Sequence, residues 1–97
     1  MAKGYLVVTY RKINNPDKWG AYAKIAGACI PKLGGKFIIR GMPVKTYEKG
    51  MNERVVIVEF DSVQKAMAAH DSAEYKEALK ALGDGAERDM RVVEGVA

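Results

Sequence analysis

One cysteine, one histidine and one tryptophan occur in the chain, and each scarcity removes a class of chemistry. A lone thiol, Cys29, cannot close an intrachain disulfide. On an apolar helical stripe it reads as a buried, inert side chain. One histidine and one cysteine cannot build a zinc centre within one chain without carboxylate help, so no metal is expected. A Ser-His-Asp arrangement cannot be assembled from His70 and scattered serines. No apolar run approaches the roughly 20 residues that span a bilayer, so no membrane partner is expected. The opening MAKGYLVVTY has one early lysine, a short apolar run and no small-residue cleavage site. It reads as a strand and not as a signal peptide, which makes the cytoplasm the expected compartment. Gly34-Gly35 follows a helix instead of opening one, so the dinucleotide fingerprint is missing and no cofactor is expected.

What is present describes an ordinary globular chain. Its 97 residues are 48% hydrophobic and 29% charged, which fits one domain over residues 1–97 with a thin core. The net charge of +4 is unevenly placed. Residues 1–50 hold ten Lys and Arg against two acids, and residues 51–97 hold six against ten. Lys18, Lys24, Lys32, Lys36, Lys45 and Lys49 are spread along a helix and a hairpin. That spread describes a solvated face, and no nucleic-acid partner is expected. The two halves can also pair with each other, within the fold or across an interface.

Gly4 to Arg11 is rich in β-branched and aromatic residues and predicts a strand. Asn15 as N-cap, Pro16 at the first position and Asp17 in the first turn predict a helix start. Trp19, Tyr22, Ala23, Ala26, Cys29, Ile30 and Leu33 form one stripe at spacings of three and four, and Gly34-Gly35 ends it. Pro31 meets the carbonyl of Gly27, so a kink is expected there. Lys36 to Gly41 predicts a second strand, broken at Gly41-Met42-Pro43 and continuing over Val44 to Glu48, with a turn in Lys49 to Asn52. Arg54 to Phe60 predicts the third strand. Asp61-Ser62, with Gln64 as partner of a capping box, opens a second helix. Asp71-Ser72 opens a third, carrying Tyr75, Ala78, Leu79 and Leu82 and ended by Gly83 and Gly85. Met90 to Glu94 predicts the last strand.

The order β-α-β-β-α-β is the split βαβ pattern of ferredoxin-like α+β domains, a four-stranded antiparallel sheet with its helices on one side. In a monomer the other side would be polar. The runs LVV and VVIV are instead apolar on both faces. The expected solution is a homodimer in which two sheets pack face to face as a dimeric α/β barrel, burying at least about 1,200 Å².

Several short segments in this order are similar to one known family. They are Lys3 to Tyr5, Gly34-Gly35-Lys36-Phe37, Arg40-Gly41 with Pro43-Val44, Arg54 to Phe60, Ser72 with Glu74-Tyr75, and Val93 to Val96. Together they resemble the bacterial domain of unknown function 1330, in the dimeric α/β-barrel group. The resemblance covers nearly the whole chain. It implies the ferredoxin-like dimer and a small pocket in each subunit between sheet and helices. Related barrels include cofactor-free monooxygenases, haem-degrading enzymes and ligand-sensing modules, a link at the level of fold. The chain departs from the family pattern at Met42, where a second glycine is usual, at Ala73, where proline is common, and at His70, where an aromatic residue is frequent.

Five residues are the candidates for chemistry. His70 alone has an unperturbed pKa near neutrality; it is a general base or ligand donor, or a helix-end histidine. Glu59 shares a strand face with Val55 and Ile57, where an acid needs a partner. It is paired with Arg40 or Arg54, or it faces substrate as a general acid. Tyr75 either points its hydroxyl into the same cleft or packs in the core. In the pocket that the resemblance implies, Arg40, Arg54 and Tyr75 are the expected ligand-binding residues, and His70 and Glu59 the catalytic candidates. Trp19 and Tyr22 are assigned to the core. Two functions follow: binding of a small organic molecule, or cofactor-free acid/base chemistry on an aromatic or carbonyl compound. A structural dimer whose polar residues maintain its interface is the third.

Overall fold

The computed structural model describes residues 2–96. Its first strand, β1 (Gly4–Ile13), alternates buried Leu6, Val8 and Tyr10 with Tyr5, Val7 and Thr9, so the even-numbered set defines the core face. The helix α1 (Pro16–Lys32) begins as its sequence predicts. The Asn15 side chain accepts from the amides of Asp17 and Lys18, with Pro16 in the first turn. α1 is one uninterrupted helix through Pro31. Pro31 stands in the last turn, so the kink expected near Gly27 does not end the helix. Gly34, at φ +94°, then reverses the chain.

β2 (Lys36–Gly41) follows, and here one expectation fails. Val44 to Glu48 is not a strand but part of an irregular connection, residues 42–54. Gly41 already pairs with Val55, the first residue of β3 (Val55–Phe60), so residues beyond it have no ladder partner. Pro43 also lacks a donor. The turn sits slightly earlier than expected, with the Gly50 amide donating to the Tyr47 carbonyl at 2.9 Å. Ser62 caps α2 (Val63–His70), its hydroxyl accepting from the Lys65 amide, so the cap is Ser62 and the Asp61–Gln64 box is not its basis. Ser72 caps α3 (Ala73–Leu82) in the same way through the Tyr75 amide. β4 (Ala86–Glu94) starts four residues before the expected Met90; its first half is charged, yet it pairs with Tyr10 to Ile13 of β1.

The sheet order is β2-β3-β1-β4, antiparallel throughout. Leu6 lies opposite Val58 and Val8 opposite Val56, and these join Tyr22, Ala26, Ile30, Ala66, Tyr75 and Leu82 in one core. All three helices therefore cover the same face. The molecule is a slab of 36 × 34 × 16 Å, too thin for a third layer. On the uncovered face Val7 lies opposite Ile57, which also faces Ile39; Ile39 and Val93 are 47% and 46% exposed. Among the described residues, no helix is long and apolar enough to cross a membrane.

Candidate functional site

Between α1 and the core face of the sheet lies a cavity of about 280 Å³. Its floor is made by Leu6, Val8, Val58, Ala26 and Ile30, all buried. Small residues of α1 create the space: Ala23, Ala26 and Gly27 face the sheet where larger side chains would fill it. Arg40, exposed at the end of β2, and Arg54, half-buried just before β3, form the polar edge.

Strand register brings these arginines together. Arg40 lies opposite Val56, and Arg54 is two residues before Val56 on the same face. They are thus diagonal neighbours, roughly 7–8 Å apart in regular sheet, within reach of long side chains. The Tyr10 amide donates to the Arg54 carbonyl at 3.0 Å, which sets Arg54 beside Tyr10 across the sheet. Each guanidinium rests on an aromatic face: Arg40 is 4.5 Å from the Phe37 ring centroid and Arg54 5.1 Å from that of Trp19. Among the described residues neither is paired with a carboxylate.

Tyr10, Trp19 and Tyr22 of the lining carry polar groups that are hydrogen-bonded to one another or to residues behind them. The Trp19 indole donates to the Tyr10 hydroxyl at 3.1 Å. The Tyr22 hydroxyl meets that of Tyr75 at 2.6 Å and accepts from Arg88 Nη1 at 2.9 Å. The Arg88 guanidinium also lies 4.7 Å from the Tyr22 ring centroid and 5.7 Å from that of Tyr10. Burial, and then the nearby Tyr75, push the Tyr22 phenol well above its ordinary range. Burial also opposes the charge on Arg88, but the oxygens of Tyr22 and Tyr75 outweigh it and its pKa is raised. Burial likewise pushes the Cys29 thiol up, away from the thiolate that reacts.

The expected site residues separate into two groups. Arg40 and Arg54 line the cavity, and Tyr75, 1% exposed, stands one hydrogen bond behind its Tyr22 wall. Glu59 belongs to the opposite sheet face, opposite Tyr5. It accepts from the Tyr5 hydroxyl at 3.1 Å and faces Lys3 at 3.7 Å, so its partners are these and not Arg40 or Arg54. His70 ends α2 with Nδ1 3.1 Å from Asp71 Oδ1 and its ring 5.3 Å from that of Tyr75, outside the cavity lining. Tyr10, Trp19 and Tyr22 line the cavity, although sequence reading placed none of them in the site. Tyr10 shares strand parity with Leu6 and Val8, a signal that could have found it. Trp19 and Tyr22 pack against the core as expected, but they also wall the cavity.

A second hollow, about 570 Å³, lies where residues of the 42–54 connection face Thr9, Arg11, Val55 and Asp89 on the uncovered sheet face. Of its two acids, Glu53 and Asp89, the second is already committed: Arg91 donates to Asp89 at 2.8 Å and holds it below the usual carboxylate range. Among the described residues, no three His, Cys, Asp or Glu side chains cluster as metal ligands.

Comparison with solved structures returns this architecture. A protein of unknown function from Rhodopseudomonas palustris superposes with a TM-score of 0.71 at 19% identity, over 99% of this chain and 84% of that one. A dimeric ferredoxin-like protein of unknown function from Thermobifida fusca gives 0.60 at 18% identity, over 99% and 92%. A protein provisionally named an antibiotic biosynthesis monooxygenase, from Nitrosomonas europaea, gives 0.62 at 13% identity, over 98% and 90%. At these identities the likeness is one of fold. No curated protein matches the sequence. A family model does match, over residues 3–96, and on that match the chain belongs to the family described as Domain of unknown function (DUF1330).

Proposed function

We propose that this protein binds a small organic molecule in the cavity beneath α1, and that it does so as a cytoplasmic homodimer. The observation that carries the reading is the cavity itself: concave, preformed, mostly apolar, with a few convergent polar groups at one edge. Trp19 is the only tryptophan and lines it, so ligand entry is visible in intrinsic fluorescence. A fragment set of neutral and charged compounds should include binders that change Trp19 emission saturably, and Ala26→Leu, which fills the floor, should abolish the change. Absence of any binder, or binding undiminished in the Ala26→Leu protein, would reject the site.

The dimer rests on the uncovered sheet face. Val7, Ile57, Ile39 and Val93 form an apolar area that a second copy of the sheet would cover, and a fold neighbour is described as dimeric. The free, buried Cys29 suits a reducing compartment.

A cofactor-free enzyme is the second reading, favoured by the name of the Nitrosomonas europaea neighbour. The cavity lining contains neither a carboxylate nor an imidazole, and the Tyr22 phenol is shifted away from neutrality. With His70 and Glu59 outside it, no lining side chain is matched to proton abstraction near pH 7. Binding is therefore the stronger reading.

A further inference from the structure

We propose that the molecule taken up in this cavity is a small monocarboxylate with a compact hydrocarbon body, its carboxylate held at the edge by Arg40 and Arg54 and its body on the Leu6–Ile30 floor. The inference rests on the binding role proposed above and adds the ligand's charge, orientation and size.

Charge comes from the two guanidinium groups. A guanidinium carries five donors in a planar fork that matches a carboxylate in two parallel bonds. Arg40 and Arg54 make no side-chain hydrogen bond and no ion pair among the described residues. Elsewhere the protein does commit its arginines: Arg91 grips Asp89 through two bonds at 2.8 and 2.9 Å, and Arg88 donates to Tyr22. Arg40 and Arg54 are held instead by the faces of Phe37 and Trp19. Stacking orients a guanidinium without using its in-plane donors. Two cations on neighbouring positions of one sheet face repel each other, and an anion between them removes that repulsion.

Orientation comes from the polarity of the walls. Below the arginines the floor is hydrocarbon, so a charged group placed there would lose its hydration without a partner. One further donor reaches the cavity. Tyr10 is 3% exposed, and its oxygen accepts from Trp19, yet no acceptor for its own proton is present among the described residues. A ligand oxygen near the carboxylate end would supply one. Tyr10 is thus assigned as a ligand-binding residue beside the two arginines. Size comes from the volume: about 280 Å³ is just under the range that holds drug-sized ligands.

Matched probes test this on the intact protein. Hexanoate and hexanamide, and phenylacetate and phenylacetamide, differ in charge but barely in shape. Titrations followed by Trp19 fluorescence should show each carboxylate binding at least about tenfold more tightly than its amide, the scale of one charge-assisted hydrogen bond. Arg54→Gln and Arg40→Gln should each erase most of that preference while amide binding is retained, and Tyr10→Phe should weaken carboxylate binding severalfold. Equal affinities within a pair would overturn the anion assignment and leave the cavity as a binding site for neutral molecules. If neither these probes nor any neutral fragment binds, the binding role falls with it.

Discussion

The indole N–H of Trp19 donates to the hydroxyl oxygen of Tyr10 across 3.1 Å, with the two rings set edge to face at 82°. That bond ties the first turns of α1 to the end of the core-facing row of β1. It holds one wall of the cavity at a fixed distance from the sheet. The wall also carries Arg54 on its outer side, since that guanidinium rests on the Trp19 ring.

Tyr10→Phe leaves the indole N–H without its acceptor. A stability loss of about 1–2 kcal/mol is expected in urea unfolding, with a shift of Trp19 emission in the native protein. Unchanged stability and emission would mean that the bond does not fix the wall.

Tyr22 and Tyr75 share a buried hydrogen bond, but Tyr22 alone meets Arg88. Tyr22→Phe therefore orphans a half-buried cation and should cost about 2–3 kcal/mol, whereas Tyr75→Phe should cost about 1 kcal/mol. Equal losses, measured by denaturant unfolding, would contradict this ranking.

The same phenol makes stability sensitive to alkali. Its folded-state pKa lies above the ordinary 10.0, so the folded state holds a proton that the unfolded chain releases. Its stabilising contribution is complete below about pH 10 and is lost as pH rises through the folded value. Unfolding free energies measured from about pH 8 to 11 should fall at the alkaline end, less steeply in Tyr22→Phe than in the parent. Parallel curves would remove Tyr22 as the cause.

Glycines separate by what surrounds them. A Cβ on Gly20, within α1, meets nothing within 4 Å, so Gly20→Ala should stabilise by about 0.5–1 kcal/mol. A Cβ on Gly35 would stand 2.5 Å from the Ile30 side chain and 2.8 Å from that of Val58, and Gly35→Ala should destabilise by about 1–3 kcal/mol. Thermal unfolding of the two variants should move in opposite directions.

For the assembly, Ile57 is central, opposite Val7 on one side and Ile39 on the other. Sedimentation at micromolar concentration should give a dimer for the parent and a folded monomer for Ile57→Lys. A monomeric parent would contradict the dimer.

Much of this was legible in the residues because local and global signals agreed. Asn15-Pro16 and Ser72 start helices, Gly34 and Gly83 end them, and the run from Val55 to Phe60 has the composition of a central strand. The failures have identifiable causes. Val44 to Glu48 looks extended, but strandedness is decided by a partner, and Gly41 had already met the first residue of β3. The charged start of β4 hides its pairing because Arg88 is accommodated by phenols instead of by an acid. Parity also held more information than its residues advertise. Arg54 and Glu59 differ by an odd number of positions on one strand, so they face opposite sides of the sheet and could not share a cleft. The cavity is not readable from sequence because it is a space between α1 and the sheet, created by Ala23, Ala26 and Gly27 where larger side chains would have closed it.

The most direct test is a crystal structure of the protein with phenylacetate. The binding assignment predicts the ring on the floor beside Leu6 and Ile30, with its carboxylate within hydrogen-bond reach of both Arg40 and Arg54. An empty cavity at saturating ligand, or phenylacetate bound with its carboxylate turned away from both arginines, would contradict it.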